Sequence, residues 1–122
     1  MNITVSTRVN PTEDESKVRK ALKNIFSGME FVMEDGRLVG RSDSIEDLST
    51  LKELIESQCI RDSARKTMRK GSGENLVRFC LNKQAATKSK INFSDESPLG
   101  PIRVSIRGDV NEIYDYIAPS TI

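Results

Sequence analysis

The sequence predicts an α+β fold, an antiparallel or mixed β-sheet with helices packed on one face. Three observations carry this. Several short runs alternate apolar and polar residues with a period of two, the signature of half-buried strands. Two of these runs flank Asp35-Gly36, a dipeptide suited to the positive φ values of a tight hairpin. The segments between the runs carry apolar stripes at helical spacing. Hairpins point to antiparallel pairing, and the striped helices need one sheet face to cover. The expected order is β-α-β-β-α-α-β-β-β-α within a single domain, residues 1–122. A chain of this length buries about two-thirds of its unfolded surface, enough for a core.

Ile3, Val5, Thr7 and Val9 alternate with Thr4, Ser6 and Arg8, which gives the first strand. Asn10-Pro11 ends it. Thr12 and Glu15 stand at the spacing of a capping box, and Val18, Ala21, Leu22, Ile25 and Phe26 continue as one stripe. A helix over 13–26 follows, with Gly28 placed as its stop. Met29 to Gly40 forms the hairpin, with Phe31 and Met33 leading in and Leu38 and Val39 leading out. Ser44 with Asp47 marks the next helix start.

Ile45, Leu48, Leu51, Leu54 and Ile55 share one face, and Ile60, Ala64 and Met68 share another. At about 100° per residue, Ile60 lies about 180° from Leu51, whereas Ile55 lies only about 40° from it. One straight helix cannot bury both faces, so a break is expected near Ser57–Ile60. Gly71-Ser72-Gly73 ends the second of these helices. Val77, Phe79 and Leu81 make a strand, Ile91 and Phe93 its return partner, and residues 82–90 the loop between them. Ser97-Pro98-Leu99-Gly100-Pro101 makes a rigid turn into a strand of Ile102, Val104 and Ile106. Asp109 and Glu112 cap a closing helix of Ile113, Tyr114 and Ile117, which Pro119 ends.

Charge is unevenly distributed. Residues 1–60 carry a net −3, residues 61–90 a net +7 and residues 91–122 a net −3, for +1 in total. The basic middle third points to a polyanionic partner. Arg61, Arg65 and Arg69 fall at i, i+4 and i+8, one row along a helix, with Lys70 beside them. The loop adds Lys83, Gln84, Lys88 and Lys90. These eight residues are the expected RNA contacts: the cations neutralise phosphates, and Gln84 reaches sugar or base edges. Arg78, Arg103 and Arg107 alternate with core positions, so they point away from the helices, and Arg8 joins them. The phenylalanines fit core positions and Tyr116 is the aromatic placed for exposure. Backbone and shape contacts are therefore expected rather than base stacking.

The chain has no histidine. That removes Ser-His and Cys-His nucleophile pairs and imidazole metal ligands. Cys59 and Cys80 stand apart and read as small buried residues rather than a disulfide. The pairs Asp14-Glu15, Glu34-Asp35, Glu46-Asp47 and Asp95-Glu96 read as helix starts and turns. No enzyme activity, cofactor or metal is expected. No apolar run approaches the ~20 residues that span a bilayer, and the N-terminal residues lack a signal-peptide pattern, so a cytoplasmic protein with no membrane partner is expected. The alternative is a non-catalytic protein-interaction module, a homodimer formed through the outer sheet face or an edge strand.

Four segments carry a family resemblance: Asn10-Pro11-Thr12-Glu13-Asp14, Ile60-Arg61-Asp62-Ser63-Ala64-Arg65, Asn82-Lys83-Gln84-Ala85-Ala86 and Pro98-Leu99-Gly100-Pro101-Ile102. In this order, from Val5 to Pro119, they resemble the motifs of archaeal uncharacterised protein family two-hundred-and-one, known as predicted RNA-binding proteins or predicted exosome subunits. Ser63 stands where the family pattern has threonine. The resemblance implies an archaeal source, a fold like ribosomal protein L-five, RNA as partner and RNA-processing proteins as neighbours.

Overall fold

The computed structural model describes residues 1–94 and 100–119. The elements in chain order are β1 (Asn2–Arg8), α1 (Glu15–Ile25), β2 (Phe31–Glu34), β3 (Arg37–Ser42), a 3-10 turn (Ile45–Leu48), α2 (Ser49–Ser57), α3 (Arg61–Lys70), β4 (Ser72–Gly73), β5 (Leu76–Leu81), α4 (Lys83–Ala86), β6 (Ile102–Arg107) and α5 (Val110–Ile117). The strands form one sheet in the order β2-β3-β1-β6-β5-β4. Every neighbouring pair is antiparallel. The α+β class expected from the sequence is the class observed.

The period of two sorts each strand into faces. Ile3, Val5 and Thr7 of β1, Ile102, Val104 and Ile106 of β6, and Val77, Phe79 and Leu81 of β5 are buried on one side. Helix stripes close over them: Val18, Ala21, Leu22 and Ile25 of α1, Leu51 and Ile55 of α2, Ala64 and Met68 of α3, Ile113 and Ile117 of α5. No helix among the described residues lies across the other side of the sheet; α3 reaches only its β5 edge, and Val39 there is buried.

Asp35 (φ 50°) and Gly36 (φ 77°) turn the β2–β3 hairpin as expected. The break between the two middle helices falls at Gln58–Ile60, where Cys59 takes φ 57°. Asp109 caps α5, accepting from the backbone N–H of Glu112 at 3.1 Å.

Other expectations are corrected. The capping box of Thr12 and Glu15 does not form. Glu13 instead accepts from the Asn10 backbone N–H at 3.0 Å, and its own N–H donates to the Asn10 carbonyl at 2.9 Å. Pro11 explains the shift, since its fixed φ suits the second position of such a turn. Asp14 then caps α1 through the Ser16 N–H at 2.9 Å. Gly28 does not stop α1 through a left-handed φ: a Cβ there would lie 2.9 Å from Asp47 Oδ1, so it serves a close approach. Cys59 is exposed and Cys80 half-buried, neither being the core residue expected.

The 82–93 segment differs most. The return arm around Phe93 pairs antiparallel with the end of β5, but only over a few residues, and the connection holds a helical turn rather than an open loop. Asn82 accepts from the Ala85 N–H at 2.9 Å and caps the single turn α4, and the return arm pairs through the bridge Leu81↔Phe93, flanked by the Asn82 N–H donating to the Asn92 carbonyl at 2.7 Å and the Ser94 N–H donating to the Cys80 carbonyl at 3.2 Å. An Asn followed by Lys-Gln-Ala-Ala is a cap and four helix formers. Residues 97–99 of the turn expected over Ser97–Pro101, and the pair Asp95-Glu96, lie outside the described residues.

Candidate nucleic-acid interface

The register of the sheet builds the outer face in rows. One row runs Arg41 (β3), Thr4 (β1), Ser105 (β6), Arg78 (β5). The next runs Val32, Val39, Ser6, Arg103, Cys80. Beyond them lie Glu34, Arg37 and Arg8 at one end, and Asn2, Arg107 and Leu76 at the other. The strand positions of this face thus carry six arginines and one carboxylate. The arginines ring a floor of short hydroxyl side chains, Thr4, Ser6 and Ser105.

Short side chains framed by long ones leave a hollow. A groove of about 680 Å³ is lined by Thr4, Ser6 and Ser105 on its floor and by Arg78, Arg103, Cys80, Phe93 and Ser94 around it, and α3 contributes Thr67 and Lys70. A smaller hollow of about 300 Å³ adjoins it over Thr4, Ser105, Arg41 and Arg107. Gly71 brings α3 to this face. A Cβ on Gly71 would lie 1.8 Å from the Arg78 carbonyl, and the Gly71 carbonyl accepts the Arg78 N–H at 2.9 Å.

One arginine of the ring is paired. Arg41 forks onto Glu34 at 2.7 and 3.4 Å, and this hydrogen bond holds the Glu34 carboxyl below its ordinary range and the Arg41 guanidinium above its own. Arg8 faces Arg37 directly across the β1–β3 ladder, a like-charge pair that costs stability. Among the described residues no carboxylate lies within ion-pair distance of Arg78, Arg103, Arg107, Arg69 or Lys70. An unneutralised cluster of this kind favours a polyanion.

The eight residues expected from the sequence divide. Lys70 reaches the groove and Arg69 is exposed next to it. Arg61 pairs with Glu56 at 3.1 Å. Arg65 donates to the Ala118 carbonyl at 2.7 Å and lies over the Tyr114 ring, 5.7 Å from its centroid, so it secures the end of α5. Lys83 is corrected outright as a phosphate ligand. It is 3% exposed, and its Nζ donates to the Arg8 carbonyl at 2.6 Å and to Glu13 at 3.1 Å. Gln84, Lys88 and Lys90 are exposed. They stand on a segment that Asn24 holds against α1 through the Ala86 carbonyl, and that Gln58 holds by two bonds to the Ile91 backbone at 2.7 and 3.0 Å.

Arg37 and Arg41 were missed in the sequence because Leu38, Val39 and Gly40 are all buried, which hides the alternation of β3. Tyr116 is half-buried on the helix layer, with Lys52 Nζ 5.1 Å from its ring centroid. Burial and the nearby Glu46, Glu53 and Asp47 push its hydroxyl pKa up. It offers no stacking platform on the basic face. No helix of the described residues is long and apolar enough to cross a membrane.

The profile of a family described as RNA binding matches residues 2–108. The chain is similar to a UPF0200/UPF0201 protein of Archaeoglobus fulgidus, 41% identical over 126 residues; the match covers 99% of this chain and 38% of that protein's length. It is similar to a UPF0201 protein of Metallosphaera sedula, 37% identical, covering 98% of this chain and 88% of that one. The crystal structure of a UPF0201 protein from Methanococcus jannaschii, 38% identical, matches with a TM-score of 0.87 over 100% of this chain and 96% of that one.

Proposed function

The chain belongs to the archaeal UPF0201 family, and we propose that it is a non-catalytic RNA-binding protein that holds the phosphate backbone on the outer face of its sheet. The observation that carries this reading is the ring of arginines around the hydroxyl floor, with Lys70 entering from α3 and with Arg78, Arg103 and Arg107 lacking acidic partners among the described residues. The match to a family described as RNA binding supports it. In this reading Lys70, Arg69, Arg78, Arg103 and Arg107 neutralise phosphates. Lys88, Lys90 and Gln84 flank the site on the segment that leads into Phe93 and Ser94 at its rim. The chain acts as one α+β domain in the cytoplasm, in RNA processing or translation, beside other RNA-processing proteins. Recognition is of backbone and shape, since among the described residues no fully exposed aromatic lies on this face and Phe93 at the rim is half-buried.

Salt dependence tests this. Contact to about four phosphates of a single strand gives a log–log slope of affinity against salt near −3. A slope near zero, or no binding at low salt, would overturn the reading.

The rival reading, a protein-interaction module that dimerises, has one observation in its favour. Val32 and Met33 are 55% and 41% exposed on the edge strand β2. Two features weigh against edge pairing. The two side chains point to opposite faces of the sheet, and Arg19 occupies the Phe31 carbonyl of that edge. Solution mass separates the readings: a monomer at all concentrations removes the rival, and a dimer that RNA does not dissolve supports it.

A further inference from the structure

We infer that Thr4, Ser6 and Ser105 select ribose over deoxyribose, so that the groove takes single-stranded RNA in preference to single-stranded DNA of the same sequence. This rests on the proposal that the outer face binds a nucleic-acid backbone, and it assigns the part of that face which the arginines leave unexplained. Arginines neutralise phosphates of either polymer and carry no information about the sugar. The 2′-hydroxyl, both donor and acceptor, is the group that tells RNA from DNA.

The three hydroxyls meet its requirements. They occupy adjacent positions on the two central strands, since Thr4 faces Ser105 across the β1–β6 ladder and Ser6 follows on the same side of β1. All three line the groove and are half-buried, below the tips of the surrounding arginines. Among the described residues none of the three side chains makes a hydrogen bond within the protein. Two other half-buried hydroxyls are tied down: Ser42 binds Asp47, and Ser72 binds the Met68 carbonyl at 2.5 Å. Each floor hydroxyl therefore presents a donor and two acceptor sites to whatever fills the groove.

The dimensions favour one strand. Arg41 and Arg78 end the row that Thr4 and Ser105 occupy, three strand spacings apart, or roughly 14 Å at ~4.8 Å each. A single strand lies between them with its sugars on the floor. A duplex rests on the arginine tips and presents no ribose to the hydroxyls. RNA duplex and single strand are thus separated by the same feature that separates RNA from DNA.

The test compares oligouridine with oligodeoxyuridine of equal length, which differ only at the 2′ position, on the intact chain and on the triple variant Thr4→Val, Ser6→Ala, Ser105→Ala. A net hydrogen bond is worth about 2- to 10-fold in affinity. The unaltered chain is expected to prefer oligouridine by about 5-fold or more. The triple variant is expected to lose most of that preference while its affinity for oligodeoxyuridine and its salt slope stay the same. An unaltered melting temperature on substitution confirms that folding is intact. Equal binding of the two polymers by the unaltered chain, or an undiminished preference in the variant, overturns the assignment and leaves backbone binding standing. Failure to bind either polymer overturns both.

Discussion

Lys83 Nζ lies 3.1 Å from Glu13 Oε1 while it also donates to the Arg8 carbonyl at 2.6 Å. One buried ammonium therefore joins the exit of β1, the turn before α1 and the start of α4. The two side chains are only 4% and 11% exposed, so solvent does little to screen them. Removing one partner leaves an uncompensated charge. Lys83→Met should lower unfolding free energy by about 3–5 kcal/mol, measured by urea denaturation. Coupled loss with Glu13→Gln in a double-mutant cycle checks that the pair itself is responsible. A neutral Lys83→Met would remove the pair from the architecture.

The same pair sets an acid limit. Burial alone raises the Glu13 pKa, but hydrogen bonds from the Asn10 backbone and side chain and from Lys83, with the Lys83 charge, outweigh it and hold the carboxyl below its ordinary 4.5. A group depressed in the folded state stabilises fully above its unfolded value and loses that contribution as pH falls through its folded value. Stability should therefore decline below about pH 4.5. Glu13→Gln should flatten part of that decline. Parallel pH profiles of the two proteins would assign the loss to other carboxylates.

Gly71, the cap of α3, packs that helix end directly against the β5 backbone at the groove. With the Arg78 carbonyl 1.8 Å from where a Cβ would stand, and backbone rather than a flexible side chain as the obstacle, α3 and β5 must separate to admit alanine. Gly71→Ala should cost about 1–3 kcal/mol or more and weaken RNA binding by displacing Lys70 from Arg78. A variant of unchanged stability would show that the approach is slack.

Arg65 separates position from charge. It lies in the arginine row of α3, yet it binds the Ala118 carbonyl and the Tyr114 face. Arg65→Ala should lower unfolding free energy by about 1–2 kcal/mol and change RNA affinity less than 2-fold. A large affinity loss without destabilisation would return Arg65 to the interface.

These residues show what was legible in the sequence. Asp35-Gly36, the phase change between Leu51 and Ile60, and the alternation around Val5 and Val104 rest on local chemistry, and each appeared as expected. The strand arginines Arg78, Arg103 and Arg107 were placed on the outer face by parity alone. Lys83 was not legible. A lysine in a polar stretch reads as solvated, and its acidic partner lies 70 residues earlier in the chain. Arg65 failed for the same reason, its acceptor being a backbone carbonyl 53 residues away. The groove was hidden because Lys70, Ser6 and Ser105 meet only through the β1–β6–β5 register. In the sequence, Thr4 and Ser6 are only the polar half of an alternating strand, and the cross-strand partners that make them a floor come from the register.

In the proposed function the outer sheet face, rather than the 82–90 segment, carries RNA. The most direct measurement is the affinity and salt slope of Arg78→Gln with Arg103→Gln, set beside Lys88→Ala with Lys90→Ala, on one single-stranded RNA. The arginine pair is expected to lower affinity at least 10-fold at low salt and to reduce the slope by about 1.4, two phosphates at about 0.7 each, while the lysine pair does less. Unchanged binding in the arginine variant, with the loss confined to the lysine variant, would contradict that expectation.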